Sequence, residues 1–132
     1  MVFEVNAVPT SHAQFMAWYE EQTKWAEGHS YDDPAVSAAS LRAWFLDVIE
    51  SFPPLNGPLS TDDLPEDEAS ATYYSVGKSV IYCAFAWSKA KIAYDTVFKL
   101  AQKHSVGFFD LSSENEEVWL PSNGRLNIAH SK

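Results

Sequence analysis

Cysteine, glycine and positive charge are all scarce in this chain, and each scarcity closes off a class of protein. One cysteine, Cys83, in 132 residues excludes an intramolecular disulfide. It lies inside an apolar run, where a lone thiol behaves as a small hydrophobe and not as a nucleophile. The five glycines fall into neither the Gly-x-Gly-x-x-Gly nor the Gly-x-x-x-x-Gly-Lys-Ser/Thr pattern that cradles phosphate. Gly77-Lys78-Ser79 copies the end of the second pattern, but its upstream glycine is missing and a strand follows where a helix is needed. Nine basic residues stand against eighteen acidic ones, a formal charge of −9. That balance argues against nucleic-acid binding, which needs a cationic face, and against adhesion to anionic lipid. No apolar stretch approaches the length that crosses a bilayer. The first residues lack the basic-then-apolar pattern of a secretion leader, so a cytoplasmic protein is expected.

The motifs of chemistry are equally sparse. None of the four histidines, His12, His29, His104 and His130, stands at i, i+4 from another ligand-type residue on a predicted helix. Zinc-type and calcium-loop spacings are absent, as is the Gly-x-Ser-x-Gly nucleophile elbow. No catalytic, metal or cofactor-binding residue is assigned, and no cofactor is expected.

What the chain does have is length for one core and many aromatics. A chain of 132 residues forms a single domain without staples, expected here to span residues 1–121, with 122–132 a C-terminal tail that little holds in place. Residues 2–8 read as an edge-tolerant strand ending at Pro9. Ser11 and Gln14 have capping-box spacing, and Phe15, Trp18, Tyr19, Gln22 and Trp25 then share one helical face. A loop with turn chemistry at Asp33-Pro34 leads to the clearest amphipathic segment, Leu41, Trp44, Phe45, Val48, Ile49 and Phe52, with Ser37 or Ser40 as its cap and Pro53-Pro54 as its stop. Residues 53–70 are rich in Pro, Gly, Ser and acid. Residues 71–76 have strand composition, and Gly77-Lys78 turns them into the apolar run Val80 to Ala86, which fits a strand covered on both faces. A helix from about Ser88 to His104 follows, with Ala90, Ala93, Tyr94, Val97, Phe98 and Ala101 as its sheet-facing stripe. It lays the strand Val106 to Leu111 parallel to the one before it. Val118-Trp-Leu120 is a last short strand. The predicted fold is α+β: a ferredoxin-like β-α-(α)-β-β-α-β sandwich with the second helix extra, a short C-terminal strand, and the helices packed on one face of the sheet.

Two sets of residues carry the functional expectation. Asp62, Asp63, Glu66, Asp67 and Glu68 form an acid-rich stretch with no Lys or Arg between Arg42 and Lys78, suited to steering a basic protein partner. Trp25 and Trp87 fall at element ends, where an exposed indole anchors an interface and a buried one is core packing. The alternative is a pocket between sheet and helices near Tyr31 and Asp110, because ligands gather at the carboxyl ends of strands. Against it, Asp110 and Asp33-Pro34 also read as ordinary turns.

The segments Ala84-Phe-Ala-Trp-Ser88, Ala93-Tyr94, Leu100-Ala-x-Lys-His104-x-Val106-Gly-Phe-Phe-Asp110 and Val118-Trp-Leu-Pro121, with Trp18-Tyr-Glu-Glu-Gln-Thr-Lys-Trp25 and Phe52-Pro-Pro-x-Asn-Gly57, resemble a set of small bacterial proteins. The resemblance covers most of the chain and brings no catalytic residue with it. By size, charge and style such proteins are similar to immunity proteins encoded beside polymorphic toxins. The resemblance implies a non-enzymatic interaction module, an immunity-type inhibitor of a basic toxin or effector. The alternative expectation is a small-molecule binder or small enzyme using the pocket.

Overall fold

A computed structural model describes residues 1–60 and 68–132. The first helix, α1 (His12–Gln22), starts where the capping spacing places it, with Ser11 Oγ accepting from the Gln14 N–H at 3.2 Å. The second, α2 (Ala39–Val48), has no side-chain cap. Ser37 is buried and its hydroxyl donates instead to the Gly77 carbonyl at 2.7 Å, while Ala38 N–H donates to the Lys78 carbonyl at 3.0 Å. The expected cap is thus spent on tying the start of α2 to the Gly77-Lys78 turn. That turn joins β2 (Tyr73–Val76) to β3 (Val80–Ala84) as the predicted hairpin, in register Val76↔Ile81. The third helix, α3 (Ala90–His104), ends on Ser105 in the left-handed region (φ 55°). It returns the chain to β4 (Gly107–Phe109).

The strand read as edge-tolerant sits at the centre of the sheet. β1 (Val2–Phe3) lies between β3 and β4 and is antiparallel to both, with Val2 opposite Ile81 and Phe108. β3 and β4 therefore run the same way, as the α3 crossover requires, without being neighbours. All the pairings between named strands are antiparallel, in the order β2-β3-β1-β4-β5-β6. Only two residues of the predicted first strand stay in the sheet. Glu4 accepts from the Asn6 N–H at 3.1 Å and opens a short 3₁₀ turn, Val5–Ala7.

The helices do not share one face. Val2, Tyr74, Val76, Ile81 and Phe108 pack under α2 and α3, while Phe3, Val80, Phe109 and Val118 pack under Phe15 and Tyr19 of α1. Consecutive residues of β1, β3 and β4 are apolar, so both faces of the central strands demand cover. The helix that stands apart from the others is therefore α1, not α2. Cover is also incomplete along β3: Val80 and Ile81 are buried, but Ala84 is exposed.

The expected loose tail is the sheet's last hairpin. β5 (Val118–Ser122) and β6 (Arg125–His130) are joined at Asn123-Gly124, with φ 53° and 76°. Positive φ at both central residues is the two-residue turn whose twist matches a hairpin, and Asn-Gly is its preferred sequence. Leu126 of β6 is buried in the α2–α3 core.

Candidate binding cleft

β3 and β4 end side by side, separated only by the start of β1, and the chain leaving each strand diverges. Between them opens a cleft of about 590 Å³. Tyr82 and Cys83, consecutive in β3 and so on opposite faces of the sheet, both border it, and the 3₁₀ turn Trp87–Lys89 brings Trp87. Lys91 and Tyr94 follow from the first turns of α3, so Trp87, Lys91 and Tyr94 line the same wall at i, i+4 and i+7. Asp110, Leu111 and Ser112 close it from the end of β4, and Tyr19 reaches it from α1. The ring of Tyr94 stands edge-on to Phe108 at 5.2 Å and lies nearly parallel to Phe98 at 6.2 Å, which fixes its place in the wall.

Trp87 is 90% exposed, the most exposed of the large apolar side chains among the described residues. Nothing in the core accounts for it. Trp25 behaves oppositely. It is half-buried against the α1-side core, with its ring 5.1 Å from Tyr31 and 6.4 Å from Tyr82. Of the two indoles expected as anchors, Trp87 stands free and Trp25 is packed.

The two expected pocket residues are not together. Asp110 lines the cleft. It also forms the turn that competes with that role, its carboxylate accepting from the Ser112 N–H at 2.9 Å. Tyr31 lies elsewhere: its hydroxyl accepts from the Glu27 N–H, its carbonyl accepts from the Val76 N–H at 2.9 Å, and its ring meets His29 at 4.6 Å. It secures the outer edge of β2. Of the acid stretch, Asp62, Asp63, Glu66 and Asp67 lie outside the described residues, and Glu68 is exposed in a 3₁₀ turn, Glu68–Ser70. Tyr19, Tyr82, Lys91 and Tyr94 were not expected at a site. The spacing of Lys91 and Tyr94 from Trp87 was the available signal for two of them. The other two depend on which strand ends meet.

The cleft's chemistry is aromatic, with Lys91 and Asp110 as its two charged side chains. Burial raises the Tyr94 phenol above its ordinary value, and the carboxylates of Asp110, Glu117 and Asp95 raise it further. Tyr19 is raised by burial and then by Tyr82. Both phenols therefore remain donors. Burial pushes the Cys83 thiol up to about 12, so it stays protonated. Among the described residues no three His, Cys, Asp or Glu side chains gather as a metal site, and no helix is long and apolar enough to cross a membrane. No protein-family model matches the chain, and neither a curated protein nor a solved structure is significantly similar to it.

Proposed function

We propose that this chain is a non-enzymatic protein-interaction module that takes a cationic side chain of a basic partner into the aromatic cleft, with Trp87 as the anchor at its rim. An immunity-type inhibitor of a basic toxin or effector is the form this takes. The observation that carries the reading is Trp87, 90% exposed at the mouth of the cleft that also holds Asp110. An indole left in water costs hydrophobic free energy unless something covers it. Aromatic rings beside a carboxylate favour an ammonium or guanidinium, and the charge of −9 draws such a partner in.

The test is binding of basic proteins and of oligo-arginine peptides to the wild-type chain, Trp87→Ala and Asp110→Asn. Loss of a central aromatic anchor costs about 2 kcal/mol or more, so Trp87→Ala is expected to weaken binding at least tenfold with little change in stability. Asp110→Asn is expected to weaken it less and to reduce its salt dependence. Equal binding by all three chains removes the cleft from the reading.

A second reading uses the same cleft for a small molecule, as a binding protein or small enzyme. Its support is the volume of about 590 Å³, within the range of roughly 300–1,000 Å³ usual for ligand sites. A cationic aromatic small molecule that binds with Trp87 quenching, where oligo-arginine does not, favours it.

For the fold, we read β2-β3-β1-β4 with α2 and α3 as a ferredoxin-like plan extended by β5 and β6. The strand order and the α2–α3 layer support this.

A further inference from the structure

A second polar constellation lies where the start of α1 meets β6. The β5–β6 ladder shifts register between Val118 and Trp119: Trp119 pairs with Ile128, but Val118 pairs with His130. The extra residue, Ala129, turns the alternation over, so His130 joins the face of Val118 and looks toward α1. There its ring centroid is 5.6 Å from Phe15 and 5.1 Å from His12. The two Nδ1 atoms face each other at 2.9 Å. Glu116, in the segment before β5, places Oε1 3.6 Å from His12 Nε2. Both Nε2 atoms are buried with no hydrogen-bond partner among the described residues. The titratable groups meeting here are thus His12 from α1, His130 from β6 and Glu116 from the β4–β5 connection. The nearest groups from α1 and β5, Phe15 and Val118, carry no charge.

Two imidazoles meeting Nδ1 to Nδ1 accommodate one proton on that line, not two. In the neutral pair one Nδ1–H donates to the other ring's bare Nδ1. One added proton preserves that bond and gives Glu116 a cation to face. A second sets N–H against N–H and places two cations side by side in a half-buried site. We propose that His12 and His130 form a proton-counting clamp between α1 and β6, closed with none or one added proton and opened by the second.

Burial, and then the neighbouring His12, hold His130 below the ordinary histidine range. Opening therefore falls on the acid side of about pH 6.5. A group whose folded pKa is lowered binds protons more readily once released, so the clamp's stabilisation is complete above that pH and is lost as pH falls. The helix it holds also carries Tyr19, which lines the cleft and meets Phe109 at 5.2 Å. Acid then loosens one wall of the cleft, a consequence that rests on the cleft being the binding site.

The experiment compares amide exchange in α1 (Phe15 to Tyr19) and β6 at pH 7 and pH 5, corrected for the intrinsic pH dependence of exchange. It uses the wild-type chain, His130→Phe and His12→Gln, with NMR titration of the imidazoles. Protection in the wild type is expected to fall about tenfold on acidification, with the rings titrating as a coupled pair. His130→Phe is expected to hold its protection level and His12→Gln, which leaves His130 buried, to lose less than the wild type; either one alone suffices if the other does not fold. No loss in the wild type, the same loss in a variant, or two independent ordinary titrations overturns the clamp. Oligo-arginine binding is followed in the same samples. Binding at pH 7 that is undiminished at pH 5, while α1 loosens, overturns the coupling to the cleft and leaves the site standing. Absence of binding at pH 7, with α1 loosening on acidification, removes the site and supports the clamp.

Discussion

The thiol of Cys83 lines a cleft, yet with its pKa pushed up to about 12 by burial only about one molecule in ten thousand carries a thiolate at pH 8. A disulfide exchange reagent is therefore expected to label it at least about a hundredfold more slowly than free cysteine at that pH. Denaturant should restore the normal rate; fast labelling of the folded chain would show the thiol to be unburied. Gly107 is a second residue whose meaning is steric. A Cβ there would collide with the ring of Phe3, whose side chain is fully buried. Neither the ring nor the central strand that carries it has room to yield. Gly107→Ala is expected to cost about 1–3 kcal/mol by overpacking, read as a lower urea midpoint at unchanged slope. The inert thiol was legible from its place in an apolar run, but the steric demand at Gly107 was not, because it depends on which ring lies across from it.

At the scale of elements, the two helices on one face are joined by charge as well as by packing. Asp47 of α2 accepts from Lys103 Nζ at 2.7 Å and from His104 Nε2 at 2.9 Å, both at the end of α3. The Lys103 hydrogen bond, and then that of His104, hold the Asp47 carboxyl below its ordinary value. A lowered folded pKa gives stabilisation that is present above the ordinary carboxylate range and is lost as pH falls through the folded value. Asp47→Asn is expected to lower Tm by a few degrees at neutral pH. The gap to wild type should close below about pH 4, and a constant gap would assign the effect to packing. The helices themselves were legible because a 3.6-residue repeat needs only local sequence: Phe15 and Tyr19, and Leu41, Trp44, Phe45 and Val48, are the buried residues of α1 and α2. The hairpin β5–β6 carries a local signal too, Ser122-Asn-Gly-Arg125, although residues 122–132 read as a tail. Proline is tolerated in β5 where it pairs with Leu126, because that position is not asked to donate to its partner strand.

For the whole molecule, net charge acts at a distance that no single contact reaches. The formal charge is −9, and five of the acids are Asp62, Asp63, Glu66, Asp67 and Glu68. Replacing them with Asn and Gln is expected to slow association with a basic partner severalfold at low salt and to flatten the salt dependence of its rate, leaving dissociation nearly unchanged. An unchanged association rate would show that steering comes from elsewhere on the surface. Trp87→Ala should do the reverse, acting on dissociation. The sequence by itself determined the α+β class, three helices, the β2–β3 hairpin and the acidic character, because periodicity, turn chemistry and charge are local or additive properties. It also pointed to Trp87 and Asp110. Tertiary structure alone decided that only two residues of β1 stay in the sheet, that α1 covers the opposite face, and that Trp87 and Asp110 border one cleft while Trp25 and Tyr31 pack apart from it. It alone set His130 against His12, 118 positions away in the chain. Those outcomes follow from which strands pair and in what register. A two-residue strand carries no period to announce its neighbours, and one extra residue in a ladder reverses the face of every side chain beyond it.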